Sequence, residues 1–186
     1  MSGSINITET DVFTVIRAFL VAYVPGAGAT PPTVEIILGL QNRVPEPAAS
    51  DFVVITSLSR VRLATNLESY NDQVTTGYKL STQPTQWNLQ IDFHGPNSPD
   101  NSQLFTTLWR DDVGVSFFDN YTAPIDAEPL YCEDPRQLAF VNGEQQFEER
   151  WIVDAALQVN PIVTTDQQFA ASLSATIIDV DVAYPP

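Results

Sequence analysis

Histidine and cysteine, the residue types that most often act as base or nucleophile near neutral pH, each occur once in this 186-residue chain. The single histidine, His94, follows Asp92 by two residues in a segment where polar and apolar residues alternate. On a β-strand this spacing puts both side chains on one face, where they could form an acid–imidazole pair. A hydrogen-bonded histidine at the end of a strand gives the same pattern, and we favour that interpretation.

The single cysteine, Cys132, is followed by the acids Glu133 and Asp134. Neighbouring carboxylates raise the pKa of a thiol, so we expect Cys132 to be unreactive. One cysteine cannot form an intrachain disulfide or a cysteine-rich metal site, and one histidine excludes motifs with paired histidines. We therefore predict no cofactor and no metal.

Pairs of acidic residues could bind a divalent cation where their side chains converge. Asp179 and Asp181 would share one face of a strand, whereas Glu148 and Glu149 would point to opposite faces. A solvent-exposed acidic surface explains these pairs more simply. The sequence also lacks a glycine-rich phosphate loop, an EF-hand loop and a nucleophile elbow, so it favours a protein that is not an enzyme.

The composition indicates a folded acidic protein. Hydrophobic residues make up 44% of the chain, and the formal net charge is −15. This charge argues against binding of nucleic-acid phosphates or anionic lipid, which need clustered Lys and Arg. The sequence shows no membrane-spanning apolar run and no secretory signal, so we expect a protein of a reducing cytoplasm. Residues 91–186 hold 16 acidic and 3 basic residues, whereas residues 1–90 hold 7 acidic and 5 basic residues. Most of the negative charge therefore lies in the second half of the chain.

Two helices are predicted to help position these residues. Thr8 and Asp11 have the spacing of a capping box, and an apolar stripe follows them until Pro25 ends the helix. Ser98, with proline after it, has the pattern of an N-cap for a second helix that ends before Gly114.

Strands are predicted over much of the remaining chain. The clearest is 86–94, where polar and apolar residues alternate, and the longest spans about 144–160. The continuous apolar run 52–58 indicates a strand buried on both faces. Shorter strands are predicted at 34–40, 60–63, 115–118 and 172–182.

Together these elements predict an α+β fold, a mostly antiparallel β-sheet flanked by two α-helices, as a single domain over residues 1–186. The polar stretches at about 67–84 and 119–143 are expected to form long loops or a projecting hairpin. Overlong strands and projecting loops favour assembly, because neighbouring subunits can cover them. Four arginines are candidate contacts with an acidic face of a neighbour, although ordinary exposed arginines fit equally well: Arg43, Arg60, Arg62 and Arg110.

Three runs of the sequence resemble the neck or tail terminator proteins of contractile-tailed phages. They are Gln41–Pro47 (QNRVPEP), Asp51–Thr56 (DFVVIT) and Arg62–Asn66 (RLATN). A strand that ends in Asp-Phe-His-Gly at 92–95, with a helix that begins Ser-Pro at 98–99, is similar to the next part of that pattern. The resemblance covers about residues 8–182, and none of its motifs is catalytic.

The resemblance implies a structural virion protein, made in the cytoplasm of the host bacterium. Such proteins form a ring, usually a homohexamer, that terminates the tail tube and joins it to the head connector or adaptor. The partners would be the tube protein and the connector, with the sheath as a further candidate, and DNA would pass through the bore unbound. Arg43, Pro45 and Pro47 would shape a loop that contacts a neighbouring ring component.

An acidic bore would repel DNA phosphates and let the genome slide through. The acids that we expect to line it are Asp111, Asp112, Glu148, Asp179 and Asp181. Three other functions remain as alternatives, of which the hydrolase fits the sequence less well than another virion component. They are another virion component (a tail tube, connector or baseplate subunit), a small acidic hydrolase that uses Asp92 and His94, and a monomeric binding module.

Overall fold

A computed structural model describes residues 3–41, 47–72, 77–121, 125–141, 145–167 and 174. Its strands, in chain order, are β1 (Gly3–Ile5), β2 (Val34–Leu38), β3 (Asp51–Arg62), β4 (Leu67–Asn71), β5 (Tyr78–Thr82), β6 (Thr85–His94), β7 (Ala127–Cys132), β8 (Arg136–Gln137), β9 (Phe140–Val141), β10 (Phe147–Glu148), β11 (Arg150–Val159) and β12 (Ile162–Asp166). Its helices are α1 (Glu9–Tyr23), α2 (Ser98–Trp109) and α3 (Asp112–Asp119).

The main sheet is built around β6. This strand pairs antiparallel with β3 on one side and with β11 on the other. β7 and β8 both pair antiparallel with β11, and β2 joins β3 in parallel. Only the β2–β3 pairing is parallel in the described part of the chain, so the prediction of an α+β fold with a mostly antiparallel sheet is confirmed.

The core lies between one face of this sheet and the helices. Trp87, Leu89, Ile91 and Phe93 alternate along β6 and are all buried on that face, as the periodicity predicts. The apolar stripe of α1 packs into the same core, with Phe19 deep inside it. We call this the inner face of the sheet, and the opposite side the outer face.

The helix α1 begins where its capping residues predict. The Thr8 hydroxyl accepts a hydrogen bond from the Asp11 amide at 3.3 Å, and the Asp11 carboxylate accepts one from the Thr8 amide at 2.7 Å. These reciprocal bonds satisfy two amides that the first turn would leave without partners. The helix ends at Tyr23, two residues before Pro25.

The prediction of a strand at 115–118 is wrong, because α3 occupies this segment. Asp111 is its N-cap, and the carboxylate accepts a hydrogen bond from the Val113 amide at 3.1 Å. Gly114 lies inside α3, where a Cβ would come within 2.8 Å of the Leu108 carbonyl oxygen. The close packing of α3 on α2 therefore depends on this glycine, and the described chain has three helices rather than two.

The strand β3 also differs from its prediction. It runs without interruption through the predicted segment 52–58 and on to Arg62, one residue short of the end of the predicted segment 60–63, with a bulge between Ser57 and Ser59. Its first half alternates between buried and half-buried residues, so the prediction of burial on both faces is wrong. β2 pairs with β3 only as far as Ile55, and the second half of β3 is consequently more exposed.

Several segments predicted as loops contain strands. The stretch 67–84 forms the hairpin β4–β5, which confirms one of the two forms expected for it. This hairpin continues through β12 to β1 as a second sheet. The stretch 119–143 is predicted as a loop, but it carries β7, β8 and β9. β7 and β8 pair with the edge of β11 that β6 leaves open, and β9 pairs with β10.

The predicted long strand at about 144–160 is divided in two. β10 and β11 are separated at Glu149, whose carbonyl accepts a hydrogen bond from the Gly95 amide at 3.0 Å. Residue 144 lies outside the described residues, as does the predicted strand 172–182 apart from Ser174. Across the described ranges, no helix is both long and apolar enough to cross a membrane.

Candidate functional site

Asp92 and His94 lie on the outer face of β6, as their spacing predicts, but they do not form the acid–imidazole pair. The carboxylate of Asp92 accepts hydrogen bonds from the side-chain Nε2 of Gln90 at 2.9 Å, and it forms an ion pair with Arg150 at 3.2 Å. The Nδ1 atom of His94 instead lies 3.2 Å from a carboxylate oxygen of Glu148. The partner of His94 therefore comes from β10, 54 residues along the chain.

The His94 side chain is enclosed rather than open to a substrate. Its ring stacks on Phe52 with centroids 4.3 Å apart, and the ring of Phe140 meets its edge at 5.4 Å. Only 7% of the side chain is exposed. Burial lowers the pKa of His94, while the charge of Glu148 acts in the opposite direction. This is a packed, hydrogen-bonded histidine at the end of a strand, the arrangement that the sequence favours.

We predict that the protein loses stability as the pH falls through the range in which His94 titrates. Because burial lowers the pKa of His94 in the folded state, the unfolded chain takes up a proton at a higher pH than the folded chain does. The contribution of the neutral imidazole to the free energy of unfolding is fully present above the unfolded pKa of about 6.5. Below that pH the free energy of unfolding falls with a slope of at most about 1.4 kcal/mol per pH unit.

Nuclear magnetic resonance tests this prediction directly, since one histidine gives one set of imidazole signals. The titration midpoint should lie below that of the urea-unfolded chain, and the urea midpoint of unfolding should decrease between pH 7.5 and 5.5. The variant His94→Gln should show a flatter decrease. A folded midpoint at or above the unfolded one contradicts the burial of this ring.

Cys132 is buried at the end of β7, with its sulfur 3.7 Å from the Thr106 carbonyl oxygen. Burial raises the pKa of its thiol, and Arg110 opposes this change. The expected direction is confirmed, but the main cause is burial, with Asp134 a smaller contribution. A thiol in this environment remains protonated at neutral pH.

The four candidate interface arginines differ in what they contact. Arg60 forms an ion pair with Glu9 at 2.9 Å, and its guanidinium lies 3.6 Å from the ring centroid of Trp87. Arg110 forms an ion pair with Asp134 at 2.9 Å and donates to the carbonyl of Cys132. Both are therefore engaged within their own chain.

Arg62 is exposed at the end of β3 and forms no ion pair with any described residue. Its Nε donates to the Ala64 carbonyl at 2.7 Å, a contact that leaves its positive charge uncompensated. Pro47 is half-buried in the described structure, whereas Arg43 and Pro45 lie outside the described residues. Among the three described candidate arginines, Arg62 is thus the one whose charge is most available to a partner.

Of the acids expected in the bore, the three that the structure describes do not share one surface. Asp111 and Asp112 lie at the start of α3, on the helical side of the sheet. Glu148 lies against His94 and hence at the outer face. Asp179 and Asp181 lie outside the described residues.

Acidic residues also lie close together where α3 approaches β7. Burial, together with the charges of Asp119 and Asp126, raises the pKa of Glu128 there.

The described part of the chain offers no evident metal centre. No group of three or more His, Cys, Asp or Glu side chains in it could hold a metal ion. The described acids in the second half of the chain therefore contribute to the electrostatic field of the surface without forming a cluster of that kind.

Sequence analysis did not single out Phe147, which lies on β10 and is 83% exposed. Its position continues the apolar alternation of β11, so the pattern predicts that it faces the core. The break at Glu149 removes it from the sheet and leaves it on the short ribbon β9–β10. No local pattern in the sequence signals the break between β10 and β11. The carbonyl of Glu149, where the break lies, accepts a hydrogen bond from Gly95, which follows the end of β6 and is far away along the chain.

The chain matches a model of a known protein family. A family model described as phage neck terminator protein matches residues 10–182, which is nearly the range over which the sequence resembles terminators. No curated protein matches the chain.

Proposed function

The chain belongs to the phage neck terminator proteins, and on this premise we propose that it forms a ring that terminates the tail tube and joins it to the head connector. Family membership makes it a structural protein of the phage neck, and therefore of the virion. The match over residues 10–182 is the observation that carries the proposal. The ring would be a homohexamer with the tube protein and the connector as its neighbours, and the sheath as a further contact.

Two features of the main sheet suit a subunit of a ring. In the described residues, no helix packs on its outer face, where neutral polar side chains bind one another. Asn88 donates to the Ser59 hydroxyl at 2.9 Å, and Gln86 donates to the Tyr131 hydroxyl at 2.8 Å. Such a face is stable in water and can also lie against another subunit, because these side chains already have hydrogen-bond partners within the chain.

The passage of DNA through the bore gives the acidity of the chain a physical use. Acids on the wall of the bore would repel phosphates, so that the genome slides rather than binds. Asp111 and Asp112 lie on the side of the sheet opposite Glu148. The wall of the bore would therefore hold either Asp111 and Asp112 or Glu148, but not all three. We place Asp111 and Asp112 there, with Asp179 and Asp181 as further candidates. A ring whose bore is basic or neutral would contradict this placement.

We propose that the loop with Arg43, Pro45 and Pro47 contacts a neighbouring component and that no reaction is catalysed. The hydrolase alternative requires Asp92 to orient His94, but Asp92 contacts Gln90 and Arg150 instead. A tube, connector or baseplate role differs from the terminator role only in where the protein sits in the particle.

Mass measurement of the chain, alone and with purified tail tubes, tests the proposal of assembly. We expect oligomers or tube-bound chain once tubes are present, whether or not the free chain is monomeric. An unrelated acidic protein of similar mass serves as the control for nonspecific adsorption. A chain that stays monomeric and unbound in the presence of tubes contradicts the proposal.

A further inference from the structure

The second sheet ends in an exposed strand on each side. Its strands lie in the order β1-β12-β5-β4, and all three pairings are antiparallel. No described strand pairs with the outer side of β1 or of β4. All three residues of β1 are exposed, as are the first four residues of β4. Both edge strands are therefore accessible from the solvent.

These two edge strands lack features that keep the edge of the main sheet from pairing with another chain. The main-sheet edge strand β7 contains Pro129, and the side chains of Trp109 and Arg110 bind two of its carbonyl oxygens. Proline removes an amide donor and the side chains occupy acceptors, so β7 is poorly suited to pairing with another strand. In contrast, β1 and β4 contain neither proline nor lysine, and their edges remain suited to pairing.

Hydrogen bonds fix which backbone groups of β4 point away from the sheet. In an antiparallel pair, alternate residues bond to the partner strand, and the residues between them point their N–H and C=O to the other side. The Gln83 amide donates to the Pro161 carbonyl, so the odd-numbered residues of β5 bond to β12 and the even-numbered ones bond to β4. Leu80 therefore bonds to Ser69, its partner on β4, and the N–H and C=O of Glu68 point outwards.

The outward-pointing groups of β1 lie at the same level of the sheet as those of β4. The amide of the residue after β1 donates to β12, so by the same alternation the N–H and C=O of Ile5 point outwards. The register across the four strands puts Ile5 in one row with Glu68, and Gly3 in one row with Tyr70. Three antiparallel steps separate β1 from β4, so the two edges run in opposite directions. Rotation of a second copy about an axis along the strands therefore brings its β1 antiparallel to β4 of the first copy.

The side chains of one face of the second sheet suit contact between two acidic chains. Two copies with a net charge of −15 repel each other, so their contact needs a surface without uncompensated charge. β1 is uncharged, and the one charged residue of β4, Glu68, forms an ion pair with Lys79 at 2.6 Å. On the same face as this ion pair, Ile5, Val163 and Tyr70 are 49%, 37% and 53% exposed. Joining the two edges would bring these apolar side chains of neighbouring copies together.

From these observations we propose that β4 of one subunit pairs antiparallel with β1 of the next copy of the same chain. Glu68 and Ile5 would exchange backbone hydrogen bonds, and the ring of Tyr70 would lie across from Gly3, on the side towards Ile5. Two different edges of one sheet give a head-to-tail contact, which closes into a ring when the rotation between copies allows it. The proposal rests on the proposed ring function and names the strands that would join its subunits.

Disulfide trapping tests which edges meet. In the proposed register, Ser4 of one copy lies opposite Ser69 of the next. Within one chain β12 and β5 separate these two residues by about 14 Å, so a disulfide between them has to join two chains. The double variant Ser4→Cys/Ser69→Cys, oxidised in the presence of tail tubes, should give a ladder of covalent multimers up to the size of the ring.

The controls for this experiment are the two single variants and a displaced pair. Each single variant should stay uncrosslinked, since the native cysteine is buried. Ser4→Cys/Ser116→Cys moves one thiol to an exposed position of α3 and should give no ladder. Dimers from a single variant would mean that like edges meet, and a crosslink to a tube subunit would mean a different occupant. Either result overturns the proposal, as do uncrosslinked chains in preparations where rings form.

Proline at position 68 provides an independent measurement on the backbone pairing. Glu68→Pro removes the outward N–H and leaves the hydrogen bonds between β4 and β5 in place. Glu68→Gln is the matched control, because it removes the same charge and keeps the N–H. We expect Glu68→Pro to give about tenfold fewer rings on tail tubes than Glu68→Gln does. Equal yields from the two variants contradict the strand pairing alone, whereas failure of the unmutated chain to form rings contradicts the proposed function instead.

Discussion

Replacing Phe19 with alanine should destabilise the protein by about 3–5 kcal/mol. Phe19 is 1% exposed, and its ring centroid lies within 6.0 Å of those of five other aromatic residues. These residues come from all three helices, namely Tyr23, Phe105, Trp109, Phe117 and Phe118. Removing the ring leaves a cavity that the surrounding rigid rings fill poorly, because each of them is held by the others.

The urea midpoint of unfolding measures this effect. Phe147→Ala is a matched control, because it removes the same group from an exposed position and should change the free energy of unfolding by less than about 0.5 kcal/mol. Since small domains are stable by only about 5–15 kcal/mol, the loss of Phe19 should shift the midpoint strongly. Equal shifts in the two variants would show that the helices do not pack around Phe19 as described.

Replacing Gly95 with alanine should also be strongly destabilising. Gly95 forms the turn between β6 and α2 with φ of 95°, a left-handed conformation that costs a residue with a Cβ about 1–2 kcal/mol. The added Cβ would come within 2.2 Å of the Ser50 carbonyl oxygen and 2.7 Å of the Asp51 carboxylate. Relief of this overlap costs a further 1–3 kcal/mol or so.

The turn cannot simply move away from β3. The carboxylate of Asp51 accepts hydrogen bonds from the Asn97 amide at 2.8 Å and from its side chain at 3.0 Å, and these bonds hold the start of α2. Gly3→Ala is the matched control, because its Cβ would meet only ordinary contacts at 3.9 Å. Thermal unfolding should separate the two variants, and a Gly95→Ala protein as stable as Gly3→Ala would contradict the geometry of this turn.

The elements that the sequence predicts best are those whose signals are local. The capping box of Thr8 and Asp11 and the alternation along β6 involve neighbouring residues only, and both are found as expected. The segment 115–118 is too short for its apolar run to distinguish strand from helix. Ser98 was expected to be an N-cap, but it lies inside α2 because Asp51, far along the chain, holds Asn97 at the cap position.

The surroundings of the candidate residues depend on contacts that no spacing reveals. The sequence places Asp92 and His94 on one face, since a strand alternates, but it cannot show that β10 brings Glu148 to the imidazole. The exposure of Phe147 follows from the break at Glu149, which is likewise a long-range effect. Family resemblance is independent of such contacts, and this is why the neck terminator family could be inferred before the fold was known.

Electron microscopy of the purified chain mixed with tail tubes is the most decisive test of the terminator role. We expect a ring of the chain at one end of each tube, with its bore continuous with that of the tube. An unrelated acidic protein mixed with the same tubes should leave their ends bare. Tubes whose ends stay bare with the chain present, or chain bound along the outer wall of the tube, would contradict a terminator role.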